Sequence, residues 1–200
     1  MNYYIELTLI DSSDFSFYEI WSKFYTQLHL ALVEQKDENG NTPFGMSFPE
    51  YKIGQDKNGK SFFHLGSKLR VFAQTELQLE QLNLDHWLER LTDYVHIKRV
   101  REVPAGAYPV HYERVRPKDS KLKRAAHQAQ RRNTSLEESL KHFEGYQEET
   151  LNLPFVQVNS LTNSSKFNLF IRRHQLAEPV MGNFNTYGLS KNATVPEWSD

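Results

Sequence analysis

The first hundred residues switch hydrophobic period in a fixed order, and that order leaves few folds open. Residues 3–10 alternate, with Tyr3, Ile5, Leu7 and Leu9 on one face and Glu6 and Thr8 on the other. A repeat of two is the repeat of a strand. Ser16-Phe17-Tyr18-Glu19 is a capping box, which satisfies the orphan amides at a helix start. Behind it Phe17, Ile20, Trp21, Phe24, Leu28, Ala31 and Leu32 recur at helical spacing and predict a helix to about Gln35. Gly40-Asn41 breaks the chain, and residues 44–48 read as a short strand ended by Pro49. Asp56-Lys57-Asn58-Gly59 is a turn signal. A further strand falls within 61–73, best around 68–72. Residues 74 to about 91 read as helix, with Leu77, Leu84, Trp87, Leu88 and Leu91 among its buried positions. Residues 94–103 alternate again.

Strand, helix, strand, strand, helix, strand is the ferredoxin-like arrangement. The expected class is therefore α+β. A ferredoxin-like βαββαβ domain over 1–103 would precede a divergent α+β domain over 104–200. In that second half, 110–116 reads as a strand. Asp119 or Ser120 caps a basic helix over 121–132, and an acidic helix follows near 135–143. Strands at 153–160 and 166–172 flank a polar turn at 162–165 and form a β-hairpin, about 153–173. A last short strand or turn falls at 185–190. The fold hosts many functions and decides none.

Composition removes several chemistries. The 200 residues contain no cysteine, which rules out disulfides, thiolate zinc sites and cysteine nucleophiles. The eight histidines form no His-x-x-x-His or His-Glu-x-x-His pair, and no Gly-rich phosphate loop is present. No metal and no small-molecule cofactor is expected. Mean hydropathy is −0.67, and no apolar run approaches a membrane span. The first residues carry no signal-peptide pattern, so the expected location is cytoplasmic.

Charge is the informative quantity. The chain holds 24 Lys and Arg against 25 Asp and Glu, a net charge of −1. Residues 98–132 alone hold eleven basic residues and three acidic ones, a net +8, which leaves −9 elsewhere. Such a local basic block points to a polyanion such as nucleic acid. The plain alternative is a solvated face salt-bridged to the acidic segment 137–149. Lys121, Arg124, Gln128, Arg131 and Arg132 fall on one broad helical face. That face can track phosphates, and arginine can read guanine edges. Regular A-form RNA hides its major groove from side chains, but a short stem-loop opens near its ends.

Taken singly, the remaining candidates are ordinary. His29 sits beside the apolar stripe at Leu28, where most histidines are surface or boundary residues; its chemical use would be proton transfer. Ser160 and Tyr187 read as a strand serine and a turn tyrosine. Phe167, between Lys166 and Asn168, is either a strand core residue or a base-stacking platform.

Together these segments resemble the CRISPR-associated endoribonucleases of subtype I-F, the repeat-hairpin-processing Cas6/Csy4-like family. The matching stretches are residues 27–33 (QLHLALV), 46–49 (MSFP), 153–157 (LPFVQ), 167–172 (FNLFIR) and 187–190 (YGLS). Their order and spacing cover nearly the whole chain. The resemblance implies a metal-independent cut in pre-CRISPR RNA at the 3′ base of a repeat stem-loop. The RNA's own 2′-hydroxyl attacks, giving a 2′,3′-cyclic phosphate and a 5′-hydroxyl, and the mature CRISPR RNA stays bound. It further implies His29 as general base, Ser160 as holder of the ribose and Tyr187 as the group that orients His29. Phe167 would stack on the last base pair of the stem, and Arg114 would contact its lowest part. Arg116, Lys118, Lys121, Arg124, His127, Gln128, Arg131 and Arg132 complete the expected RNA contacts. Two positions depart from the family pattern. Arg116 stands where the prototype has glutamine, and His127-Gln128 stand where an arginine pair is expected. The implied partners are the repeat hairpin and the other subunits of a type I-F surveillance complex. A second reading is a silent hairpin-binding subunit of that complex. A third is a ferredoxin-like interaction domain whose basic helix is only solvated.

Overall fold

The computed structural model describes residues 1–147, 150–159 and 165–198. Thirteen strands and five α-helices are found among them. The strands are β1 (Tyr3–Leu9), β2 (Asn41–Thr42), β3 (Gly45–Ser47), β4 (Lys52–Gln55), β5 (Ser61–His64), β6 (Lys68–Ala73), β7 (Val95–Ile97), β8 (Arg101–Glu102), β9 (Tyr108–Val115), β10 (Phe155–Asn159), β11 (Lys166–Gln175), β12 (Phe184–Asn185) and β13 (Val195–Glu197). The helices are α1 (Phe17–Glu34), α2 (Glu76–Gln81), α3 (Leu84–Trp87), α4 (Lys121–Arg132) and α5 (Leu136–Lys141). The chain is a mixed α+β protein.

By compactness it forms two units, one of Met1–Val115 with Leu153–Asp200 and one of Arg116–Asn152. This division runs elsewhere than after Val103. The cause is packing: Val110, Tyr112, Val156, Val158, Leu169, Ile171 and Val195 share one buried core with Leu7, Phe24, Leu28 and Val71.

Among the described residues the larger unit holds two main sheets and two two-stranded ones, β2 with β12 and β4 with β5. In the first main sheet the strand order is β3-β6-β1-β7, all antiparallel, with β8 also pairing β1. α1 links β1 to the β2–β3 region and the α2–α3 segment links β6 to β7, as the sequence order requires. In the second main sheet the order is β10-β11-β9-β13. The capping box at Ser16 and Glu19 forms in full and starts α1, which ends at the cap residue Gln35. Its buried residues are the expected stripe from Ile20 to Leu32 with Tyr25 and His29 added, while Phe17 is only half-buried.

Several elements differ from the sequence reading. The expected helix over 74–91 is broken into α2, α3 and a 3-10 turn at Glu89–Leu91. Asn83 adopts φ 48°, a left-handed conformation that interrupts a helix. Leu77 is 59% exposed, and Leu79 and Leu82 take the buried positions. Residues 61–73 hold two strands, because β5 turns back on β4 in a hairpin of its own. Residues 94–103 are split: Leu7 faces Ile97 but Tyr4 faces Arg101, a one-residue bulge between β7 and β8. Both faces of β1 are covered. Glu6 is buried, with Arg70 Nε at 2.7 Å and Lys98 Nζ at 2.6 Å, and the Arg70 guanidinium lies 3.9 Å from the Trp198 ring centre.

The smaller unit is a helix pair, α4 packed on α5. Each starts at a serine cap, Ser120 and Ser135. Asn133, at φ 52°, ends α4. Among the described residues no helix is long and apolar enough to cross a membrane.

Candidate active site

Two side chains one turn apart on α1, Tyr25 and His29, meet a tight turn at residues 185–188. The turn is closed locally. Asn185 Oδ1 accepts the amides of Tyr187 at 2.8 Å and Leu189 at 3.4 Å, and the Gly188 amide donates to Asn185 O at 2.8 Å. Gly188 sits at φ 67°, where glycine carries no Cβ penalty, and a Cβ there would run into Met46. The Met46 amide donates to Gly188 O at 2.9 Å, and β12 ahead of the turn pairs with β2. The turn so held presents two consecutive carbonyls to α1. Thr186 O lies 2.7 Å from His29 Nδ1, and Tyr187 O accepts from Tyr25 Oη at 2.8 Å.

These contacts decide what His29 can do. A carbonyl only accepts, so Nδ1 carries the hydrogen in the bond to Thr186. In the neutral ring Nε2 then keeps its lone pair and is the atom able to take a proton. His29 is 8% exposed, so it is buried and not a surface residue. Burial lowers its pKa. The Thr186 bond works the other way and the positive charge of Arg114 adds to the lowering, and the balance lies below the ordinary histidine value. At neutral pH the ring is uncharged, the form a general base needs.

Aromatic contacts extend the site. The Tyr187 ring stacks on His29 with centroids 4.1 Å apart and planes 7° apart. Phe167 meets Tyr187 edge-on at 6.3 Å and 88°. The Arg114 guanidinium stands 5.0 Å from the Phe167 centroid and 5.2 Å from that of Tyr187, within cation–π range of both. β9 and β11 are antiparallel neighbours, with Arg114 opposite Ile171 and Phe167 four residues from Ile171 along β11. Four of the expected site residues, His29, Arg114, Phe167 and Tyr187, are therefore one cluster. Ser160 lies outside the described residues. Among the described residues no group of three or more His, Asp or Glu side chains is placed to hold a metal ion. A cavity of about 760 Å³ beside the start of α1, bordered by Phe17, Trp21, Phe63, Phe155 and Lys166, is lined by none of the four clustered residues.

The remaining candidates lie in the smaller unit. Arg116, Lys118, Arg124, His127, Arg131 and Arg132 are exposed; Lys121 and Gln128 are half-buried. Arg131 and Arg132 sit in the last turn of α4, where the helix dipole favours cations. Lys121, Lys123 and Arg124 sit in the first turn, where it does not, and that turn itself contains no acidic residue. The guanidinium of Arg124 faces the rings of Tyr146 at 4.9 Å and Phe143 at 5.7 Å, and Tyr146 Oη donates to Asp119 O at 3.1 Å. Among the described residues, the rings of Phe143 and Tyr146 thus lie against the basic helix at Arg124.

The family model described as CRISPR-associated protein (Cas_Csy4) matches residues 4–198. The chain belongs to the Csy4 family of CRISPR-associated proteins. A protein of Pseudomonas aeruginosa (strain UCBPP-PA14) named CRISPR-associated endonuclease Cas6/Csy4 is 30% identical over 98% of this chain and 99% of its own. One of the same name from Escherichia coli (strain UTI89 / UPEC) is 27% identical over the same shares. A solved structure titled "CRISPR associated protein Cas6" aligns at TM-score 0.33 and 11% identity over 98% of each chain.

In this Csy4-family chain the sequence reading passed over Tyr25, Thr186 and Asn185. The signals were present. Tyr25 stands four residues before His29 and so shares its helix face. Asn185 and Gly188 bracket Thr186-Tyr187 in the pattern of a tight turn.

Proposed function

We propose that this protein is the endoribonuclease that cuts pre-CRISPR RNA at the 3′ base of the repeat stem-loop, without a metal, and then holds the mature CRISPR RNA. Family membership and the names of its relatives support the activity. The observation that carries the mechanism is the His29 ring, buried, stacked on Tyr187 and tied through Nδ1 to Thr186 O.

In this reading Nε2 of His29 takes the proton of the 2′-hydroxyl. The 2′-oxygen attacks the adjacent phosphorus in line, the bond to the 5′-oxygen breaks, and that oxygen takes a proton from water, so that a 2′,3′-cyclic phosphate and a 5′-hydroxyl result. Nucleophile and target belong to one nucleotide, so positioning supplies much of the rate. Tyr187 holds the plane of His29. Phe167 offers its ring to the last base pair of the stem, and Ser160 holds the ribose. Arg114, set against both rings, meets the phosphates at the foot of the stem. The basic face of α4 tracks the stem backbone, and its cations at the unfavoured helix start are consistent with selection for an anionic partner. The protein acts in the cytoplasm and stays on its product as part of a type I-F surveillance complex.

The product ends test this reading. The 5′ fragment should carry a 2′,3′-cyclic phosphate, and a 2′-deoxy nucleotide at the cut should leave the RNA bound and whole. Cleavage of the 2′-deoxy RNA would reject the 2′-hydroxyl as nucleophile.

A further inference from the structure

The hydroxyl of Tyr25 has a use that the chemistry of the reaction does not require of it. Tyr25 is fully buried on α1 and packs against both Trp21 and Phe48, with ring centroids 6.4 Å from each. Apolar contact alone would be met by phenylalanine. The hydroxyl instead donates to Tyr187 O at 2.8 Å, one peptide beyond the carbonyl that receives His29 Nδ1–H. Burial pushes its pKa far above the ordinary tyrosine value, with Tyr187 adding to the rise and Arg114 opposing it, so the group remains a donor at any working pH.

Consecutive peptides are rigid planes joined at one Cα. Fixing the Tyr187 carbonyl on α1 limits the rotation of the peptide before it, whose oxygen faces His29. Residues 25 and 29 lie one helical turn apart, so both bonds are anchored on one rigid face. The same pair of bonds clamps the residue whose ring stacks on His29. A loosened turn would release both the stacking plane and the acceptor that keeps the hydrogen on Nδ1. The imidazole could then place its hydrogen on Nε2, and that tautomer cannot accept the 2′-hydroxyl proton there.

We propose that Tyr25 is a positioning residue that holds His29 in its Nδ1–H tautomer through the Thr186-Tyr187 backbone. The proposal rests on the reading of His29 as general base. Tyr25→Phe is the test, with Tyr51→Phe as control. Tyr51 Oη also donates to a backbone carbonyl, Ile171 O at 3.1 Å, which is not part of the 185–188 turn. Each variant loses one phenol hydroxyl and its bond to a backbone carbonyl.

Single-turnover cleavage should fall about tenfold to a hundredfold in Tyr25→Phe and stay within about threefold of wild type in Tyr51→Phe. Binding of an uncleavable 2′-deoxy hairpin should be unchanged in both. The ring nitrogens of His29, observed by nitrogen NMR, should report Nδ1–H in the wild type and a shift toward Nε2–H in Tyr25→Phe. Wild-type cleavage with an unshifted tautomer in Tyr25→Phe would overturn the proposal. So would Nε2–H in the wild-type protein, a result that needs no variant to fold. If instead His29→Ala cleaves at the wild-type rate, the assignment of the base fails, and the tautomer shift in Tyr25→Phe still reports on the clamp.

Discussion

The imidazole of His29 and the phenol ring of Tyr187 lie parallel, 4.1 Å between centroids and 7° apart in tilt. His29 comes from the first helix and Tyr187 from a turn near the C-terminus, 158 positions later. The face of one ring against the other fixes the imidazole plane, and the Thr186 carbonyl fixes its in-plane rotation. Together they aim Nε2.

Substituting Tyr187 should separate ring from hydroxyl. Tyr187→Phe keeps the stacking face and should cleave within a fewfold of wild type. Tyr187→Ala removes the face and should cost about tenfold to a hundredfold in single-turnover rate, as expected for lost orientation. Equal losses in both variants would assign the effect to the hydroxyl.

The pH dependence follows from the direction of the His29 shift. Its folded pKa lies below the unfolded value, because burial penalises the imidazolium. The base form therefore predominates at neutral pH and is lost only as pH falls below the ordinary histidine range. The acid limb of the pH–rate profile should fall there. Stability moves the same way: the unfolded chain binds this proton first, so the contribution is full above the unfolded pKa and lost as pH falls. Protonation of His29 followed by NMR should give the same midpoint as the rate.

Gly188→Ala probes the turn without touching a ring. The residue is at φ 67° and its Cβ would meet Met46. The expected loss of stability is about 1–3 kcal/mol, read by denaturant unfolding. Cleavage should fall by a larger factor than hairpin affinity, because the strained turn carries Thr186 and Tyr187.

Binding should separate the two units of the chain. If α4 tracks phosphates, Arg131→Ala and Arg132→Ala should each flatten the log Kd against log salt slope by about 0.7–0.9. Phe167→Ala should instead weaken binding by about 1–3 kcal/mol with the salt slope unchanged, as stacking predicts. A salt-insensitive complex would argue against the RNA role of α4.

Much of this architecture was legible because its causes are local. The Ser16 capping box and the Ile20–Leu32 stripe delimit α1, and alternation finds β1. Ser120 marks the start of α4. Other features depend on distant partners. β13 is short, contains Pro196, and is a strand only because β9 offers an edge to Val195 and Glu197. The helix over 74–91 breaks at Asn83, a residue whose propensity tolerates the left-handed region without demanding it. The site divides in the same way. Resemblance picks out His29, Arg114, Phe167 and Tyr187, and the structure gathers them. The burial of His29 and the use of Tyr25 are visible only when the 185–188 turn folds back on α1. Glu6 reads as the polar face of a strand, yet it is buried beneath Arg70 and Lys98.

The most direct measurement is cleavage of the host's own repeat hairpin in EDTA by wild type and by His29→Ala, with binding followed in parallel. Wild type should cut at full rate with the metal removed. His29→Ala should bind the hairpin with unchanged affinity and cut about 10²–10⁴-fold more slowly, the range for loss of a general base. A wild-type enzyme that stops in EDTA, or a His29→Ala variant that cuts at the wild-type rate, would contradict the account.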